Sequence, residues 1–486
     1  MATVGVVLTL LRGETVRKFG EKMARFFVIL LSLGVLFSSE SMLWANPIEG
    51  DLEAKIAEFE KRLAELEKRN KELQVDRTGT EEPISVQVEE LQRQLDILAE
   101  EVEKMRSVEQ ATELTQEDAN KQGLGLSAAA VYSKSEGLSF AGYGEMVYQN
   151  YADKKEDGTA LDKTSQMDFL RAIIYAGYRF NDKFLFNSEI EFEHGSTSKG
   201  GSASIEFAYL DYIAHENLTL RGGMLLIPMG LTNEFHEPNV FMGVHRPFTE
   251  KYIIPTTWRE NGFGAVGSRG IVNYRAYVVN GLNGANFSAS GLRGGRQKGA
   301  KAKASDMAFV GRLDVAPTPG VFFGGSLYRG GSGQNQLAVN NKKLKVMTTI
   351  GEIHGQAQLQ GWDVRGLWSQ ATLDDVAALN THLSKTGKDK IAKSMLGGYF
   401  QTGYNVLSQF PTNVSLMPYY RFERLNTHDG LVGTTDVDLA LDKTFHTVGF
   451  ELKPIYNVVV KADYQITRNK AKTGYNQLNM SMGYSF

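Results

Sequence analysis

A chain of 486 residues with a formal net charge of −3 exerts no global pull on nucleic acid, and its length alone permits two or three domains. Glycine is abundant, aromatics are frequent, proline is scarce and there is no cysteine. The missing thiol excludes structural disulfides, Fe–S clusters, cysteine-containing zinc sites and covalent c-type haem.

The first element is an address. RKFGEKMAR is basic, FFVILLSLGVLF is apolar, and ESMLWANP ends in a cleavage site after Ala45, which reads as a secretory signal peptide over 1–45. The stretch before Met23 is foreign to such a signal, so Met23 is the alternative start. An uncleaved anchor is the other reading, although an apolar run of about 12 residues falls short of the ~20 that a helical span needs.

A helical stalk is expected over 46–110. In DLEAKIAEFEKRLAELEKRNKELQV, Leu52, Ile56, Phe59, Leu63, Leu66 and Leu73 recur at steps of four and three, with Asn70 in the missing core position. Lys55 and Arg62 at g face Glu60 and Glu67 at e of a neighbouring chain, the pairing of a parallel coiled coil. DRTGTEEP (76–83) interrupts it, and a second seam runs Ile84, Val88, Leu91, Leu95, Leu98, Val102, Met105. A solvated amphipathic helix packed on its own chain is the alternative, and the mixed core residues do not choose dimer or trimer. Residues 111–137, polar and then Gly- and Ala-rich, read as a linker.

From residue 138 a period of two replaces the helical one. In KFLFNSEIEFE, Phe184, Phe186, Ile190 and Phe192 oppose Asn187, Glu189, Glu191 and Glu193; in NVVVKADYQIT, Val458, Val460, Ala462, Tyr464 and Ile466 oppose Lys461, Asp463, Gln465 and Thr467. A soluble sandwich has such faces too. The links decide against it. Sixteen strands are predicted over 138–486, with long links after the odd strands (152–165, 195–202, 229–258, 281–304, 331–343, 372–392, 428–441) and short ones after the even strands, such as Asn181–Asp182 and Phe410–Pro411. This is the pattern of an outer-membrane barrel, whose sheet closes because every backbone amide at membrane depth must be paired. The final strand, NQLNMSMGYSF, puts Leu478, Met480, Met482, Tyr484 and Phe486 on the lipid face. Strict alternation leaves one puzzle: it sets Glu206 and Asp211 on opposite faces of strand 203–215.

Sixteen strands enclose an aqueous channel. Alternation places Arg171, Arg179, Arg221, Arg275, Arg312, Arg365, Arg421 and Lys461 inside, with Glu145, Glu189, Glu191, Glu193, Asp314, Glu352, Asp363, Glu423, Glu451 and Asp463. A charged wall keeps solutes hydrated; the bland alternative is that these charges pair across strands and hold the wall. The link 229–258 is too long for a plain connection. Folded inward, it would bring Glu234, His236, Glu237, His245, Arg246, Glu250, Lys251, Arg259 and Glu260 to a constriction; it could instead cap the barrel or pack on a second subunit. The link 281–304 carries Arg293, Arg296, Lys298, Lys301 and Lys303 without an acid, a draw for anions or for surface phosphates, or a merely solvated loop.

Enzyme readings find little. His236, Glu237 and His245 lack metalloprotease spacing, no Ser/His/acid set forms around His354, and LRGGRQKG opens no helix after a strand. The pattern requires no catalytic residue, metal or cofactor.

DFLRAIIYAGYRFNDKFLFNSEIEFEH through AYLDYIAHENLTLRGGMLLIPMGLTNEFHEP, with Pro228–Met229–Gly230 at the loop entry and IIPTTWRENGFG beyond it, resembles the phosphate-selective porin superfamily of O and P type. The resemblance, strongest over 166–264, implies a sixteen-stranded and usually trimeric porin. Glu189, Glu191 and Glu193 depart from that family's arginine-lined path, so phosphate selectivity does not carry over. The expectation is therefore an all-β chain, a 16-stranded antiparallel transmembrane β-barrel preceded by an N-terminal α-helical coiled coil. It would be a homotrimeric porin in the outer membrane of a Gram-negative-type bacterium. Its stalk would lie in the periplasm, its partners would be membrane lipid and small hydrophilic, charged solutes, and it would be neither an enzyme nor a nucleic-acid binder. The alternative is a structural barrel with a plugged lumen that tethers the stalk to the cell wall, with peptidoglycan as partner.

Overall fold

The computed structural model describes residues 116–198, 200–430 and 437–486. The signal peptide, the coiled-coil stalk and the first residues of the linker lie outside them.

The described chain starts with two short helices, α1 (Gln116–Gln122) and α2 (Leu126–Ala129), and a 3₁₀ turn, Ala130–Ser133. The strands follow: β1 Gly137–Tyr151, β2 Gln166–Arg179, β3 Phe184–Glu193, β4 Ser202–His215, β5 Leu218–Leu226, β6 Arg259–Arg269, β7 Val272–Asn280, β8 Met307–Thr318 and β9 Val321–Gly331. A small hairpin, β10 (Ala338–Val339) and β11 (Lys342–Lys343), precedes β12 Met347–Leu359, β13 Trp362–Leu373, β14 Ser394–Tyr404, β15 Ser415–Gly430, β16 Asp442–Ile455, β17 Val458–Asn469 and β18 Asn476–Ser485. Two further short helices lie in links, α3 (Thr249–Tyr252) and α4 (Val376–His382).

Apart from the β10–β11 hairpin, every strand pairs antiparallel with its chain neighbours, and β1 closes on β18 in register Met146↔Met482, giving a 16-stranded closed barrel. Phe486 completes the seam: its amide donates to Gly142 O and its carbonyl accepts from Gly142 N, both at 2.9 Å. Closure removes the free edges that a sheet this large would otherwise expose. Links alternate long and short as the sequence predicts, except that β14 and β15 are joined by 405–414 rather than by a tight turn at Phe410–Pro411.

Alternation sorts the faces. Leu210, Phe263, Phe309, Leu313, Ile353 and Phe400 stand exposed on the outside, an apolar exterior suited to lipid. The puzzle in strand 203–215 resolves as a β-bulge. Glu189 pairs with Phe207 and Ile190 with Ile205, so Glu206 is the extra residue, and Glu206, Phe207 and Asp211 all turn inward.

The lumen departs from expectation. Tyr143, Ile173, Tyr175, Phe207 and Tyr209 point inward from β1, β2 and β4, and form a packed core with Ala119, Leu124, Ala128 and Ala129 of the N-terminal segment and with Ile253, Ile254 and Trp258 of the long link. Here apolar side chains pack on one another where an open aqueous channel is expected.

Candidate functional site

The stretch 111–137 that reads as a linker is, from Gln116 onward, a pair of helices lodged in the barrel. Helix α1 ends at Gln122, and Gly123 follows it with a φ of +72°, the left-handed position after a helix. Leu124 N donates to Ala119 O (3.1 Å) and Gly123 N to Asn120 O (3.0 Å), the two bonds of a Schellman closure. The turn lets the chain reverse onto the wall. Arg275 donates to Asn120 O, and Arg221 to Gln122 O at 3.2 Å. Asn187 donates to Ala128 O at 2.8 Å, and Ala128 N to Glu237 Oε1 at 3.2 Å. Tyr132 donates to Asp211 Oδ2 at 2.7 Å and accepts from Arg221 at 2.8 Å.

The long link 229–258 folds inward, one of the three placements left open by its length. Asn233 ties its two ends, donating to Ile227 O and Trp258 O and accepting from Trp258 N at 2.8 Å. From there it touches the wall almost all the way round. Glu234 lies 3.3 Å from Arg275 and 3.6 Å from Arg312, and Arg312 also donates to Gly230 O. Arg365 reaches Val240 O (2.8 Å), and Lys461 reaches Phe241 O (2.6 Å) and Gly243 O (3.1 Å). Asp463 accepts from Val244 N, and Glu423 from the amides of Phe248 and Thr249 at the start of α3. Glu250 takes Thr232 and Tyr399, and His245 accepts from Gln149 at 2.9 Å.

The residues expected on the wall therefore do point inward, but they are engaged. Arg221, Arg275, Arg312, Arg421, Glu189, Glu191, Glu423, Lys461 and Asp463 are all buried. Arg171 sits between Glu145 (3.5 Å) and Glu191 (3.8 Å), and Arg365 pairs with Asp363 at 2.7 Å. Glu193 is half-buried and accepts from Ser202. Arg179 lies at the short-turn end, donating to the carbonyls of Asn181 and Asp182, and takes no part in the interior network. Arg259 and Glu260 open β6, with Arg259 on Glu206 at 2.6 Å. In this structure the wall charges contact the link and the N-terminal segment as well as neighbouring strands.

Among the described residues, His354 is not hydrogen-bonded to a serine or threonine hydroxyl. Its ring is held by Glu352 (2.9 Å) and Asp314 (2.8 Å), and Ser326 donates to Glu352 rather than to the ring.

Where the inward link meets 281–304, arginines are held by carbonyl and hydroxyl oxygens. Arg293 and Arg296 fold over Thr256 and Thr257, donating to their carbonyls and to Thr257 Oγ1. Burial and the neighbouring cations push Arg296 down to about 9 and Arg293 down to about 10. Lys251 is lowered for the same reasons. Arg246 and these groups make a cationic collar where the inward link meets 281–304, a contact invisible in sequence because the two links are separated by β6 and β7.

Comparison with known proteins gives one relative of matching length. An uncharacterised protein of Aquifex aeolicus (strain VF5) is 38% identical over 353 residues, covering 70% of this chain and 78% of that one. The chain belongs to the family of that Aquifex protein. No family model matches it, so the likeness to phosphate-selective porins rests on the segments quoted above. Among solved structures, OmpF of Salmonella typhi is similar at 12% identity and a TM-score of 0.48, covering 72% of this chain and 98% of that one. The outer-membrane channel DcaP of Acinetobacter baumannii is similar at 11% identity and a TM-score of 0.46, covering 72% and 97%. The anion-selective porin of Comamonas acidovorans is similar at 11% identity and a TM-score of 0.45, covering 72% and 100%.

Proposed function

We propose that this protein is an outer-membrane porin for small hydrophilic, charged solutes, held shut by its own N-terminal segment. The observation that carries the reading is a closed barrel with an apolar exterior and an ionisable interior, whose core is contributed in part by a separate piece of chain, Gln116–Ser133. A wall folded for stability alone gains little from so many buried charges, which cost more to desolvate than apolar residues of the same size. A wall that is periodically wetted does gain from them. The collar of Arg246, Lys251, Arg293 and Arg296 supports a charged solute, since a cationic mouth concentrates anions. In this reading the coiled coil lies in the periplasm and the functional unit is a trimer.

The filled interior also favours a second reading, a barrel permanently plugged that tethers its stalk to the cell wall. Planar bilayers separate the two. Wild-type protein and a variant lacking 116–133 are inserted and stepped in voltage. Porin function predicts rare, brief openings in the wild type and long stepwise openings in the deletion. Two silent proteins, with the folded barrel intact on a heat-modified gel, support the tether.

A further inference from the structure

We propose that Glu189, Glu206 and His236 form a binding site for one divalent transition-metal ion of the zinc class, which pins the inward link to the barrel wall. Spacing along the chain groups His236 with Glu237 and His245; in space it meets Glu189 of β3 and Glu206 of β4 instead. His236 Nε2 lies 3.1 Å from Glu189 Oε1 and 3.5 Å from Glu206 Oε2, and one donor atom from each residue falls within 4.8 Å of the others. Around a tetrahedral ion with bonds of about 2.1 Å, ligand atoms stand ~3.4 Å apart. The two histidine distances bracket that value.

The tautomer points the same way. His236 Nδ1 is 2.9 Å from the carbonyl of Asn233, which can only accept, so Nδ1 carries the hydrogen. The remaining nitrogen then aims a lone pair at two carboxylate oxygens. Three such atoms facing one another need a proton or a metal ion between them. A proton on Nε2 serves the nearer oxygen of Glu189 and leaves the rest: Glu189 Oε2 and Glu206 Oε2 are buried without a hydrogen-bond partner. A metal ion takes a donor from all three residues at once and keeps a fourth position open.

Glu206 is placed for this by the bulge. As the extra residue of β4 it turns inward out of sequence with the alternation. Its other oxygen is held by Arg259 at 2.6 Å, and Arg259 is itself braced by Ser204 at 2.9 Å. Such outer partners fix a ligand's direction. The surrounding charges choose the metal. Arg259, Arg171 and Arg246 stand near Glu189, Glu191 and Glu206, so an ion that relies on negative charge alone, as calcium or magnesium does, is disfavoured against one that also bonds imidazole.

The test uses the full-length barrel in detergent, dialysed against chelator and titrated with Co²⁺ and then Zn²⁺. The expected result is one ion per chain by elemental analysis, a Co²⁺ visible spectrum of low-symmetry four- or five-coordination, and its loss on adding Zn²⁺. His236→Gln and Glu206→Gln should each abolish stoichiometric binding, while Glu237→Gln, whose carboxylate faces α2, should keep it. Should a site variant fail to fold, the wild-type spectrum and its displacement by Zn²⁺ decide alone. Wild-type protein without stoichiometric metal, or metal retained in folded His236→Gln, overturns the proposal. Conductance plays no part in either result, so failure here leaves the porin reading untouched.

Discussion

Tyr132 donates its hydroxyl proton to Asp211 across 2.7 Å, while Arg221 donates to the same hydroxyl at 2.8 Å. One phenol from the N-terminal segment thus completes an ion pair of the barrel wall. Bonds to charged groups contribute about 1.5–3 kcal/mol each way. Tyr132→Phe should therefore weaken docking of the segment by roughly that amount without touching the Arg221–Asp211 pair. The measurement is limited proteolysis between residues 116 and 133. Cleavage at least tenfold faster than wild type is expected, and an unchanged rate would show that the hydroxyl does not hold the segment.

The contrast between strands and lumen explains what was legible beforehand. Phe309 and Leu313 advertise the outer face by period two, and Phe486 the closing strand, because lipid acts on each residue independently. Interior partners are set by three-dimensional coincidence. Nothing in ANKQGLGLSAAAVYS says that Ala128 will bond Glu237 or that Gly123 will clear Arg275, since its small residues serve a flexible tether equally well. Glu206 escaped alternation because a bulge is one inserted residue, visible only through the partner strand. Alternation speaks only to the face an arginine occupies; the partners of Arg312, Arg365 and Arg221, the backbone carbonyls of Gly230, Val240 and Gln122, carry no side-chain signature at all.

Gly123 offers a steric test. A Cβ there would crowd Glu234 Oε1 and stand 2.6 Å from Arg275 Nε, and the backbone φ of +72° is costly for a branched residue. Gly123→Val should dislodge α1 from the wall while the strands keep their pairing. In planar bilayers it should behave as the 116–133 deletion does, with a raised open fraction at equal single-channel conductance. A closed fraction equal to wild type would show that the segment seals the lumen without α1.

Glu237 should make the closure sensitive to pH. Burial against α2 pushes its carboxyl up to about 7, although the Ala128 amide opposes the shift. With the segment withdrawn the carboxyl returns to water and to its ordinary value near 4.3. The docked form therefore prefers the protonated acid. Docking is strongest below the lower value, loses about 1.4 kcal/mol per pH unit as pH rises between the two, and levels off above 7. In protein stripped of metal by chelator, since an ion on the neighbouring His236 and Glu189 would itself lower the Glu237 carboxyl, open fraction should climb from pH 5 to pH 7.5, and Glu237→Gln, which stays neutral, should remove the climb. A wild type whose gating is flat over that range would exclude Glu237 as the titrating group.

The Arg221–Asp211 pair separates charge from fit. Both partners are buried, with guanidinium nitrogens at 2.8 and 3.0 Å from the carboxylate, so Asp211→Ala strands a cation inside the barrel. Breaking such a pair costs about 3–5 kcal/mol, whereas replacing both partners with apolar residues of similar volume is often neutral. Urea unfolding of the barrel in micelles should show the single variant destabilised by that order, and Arg221→Met with Asp211→Leu close to wild type. The double variant still removes the charges that receive Tyr132 and Gln122, so it should release the N-terminal segment while keeping the barrel. Stability restored together with an open lumen would locate the function of the pair in holding the plug. Stability restored with the lumen still shut would mean that apolar contacts of Leu124 and Ala129 suffice.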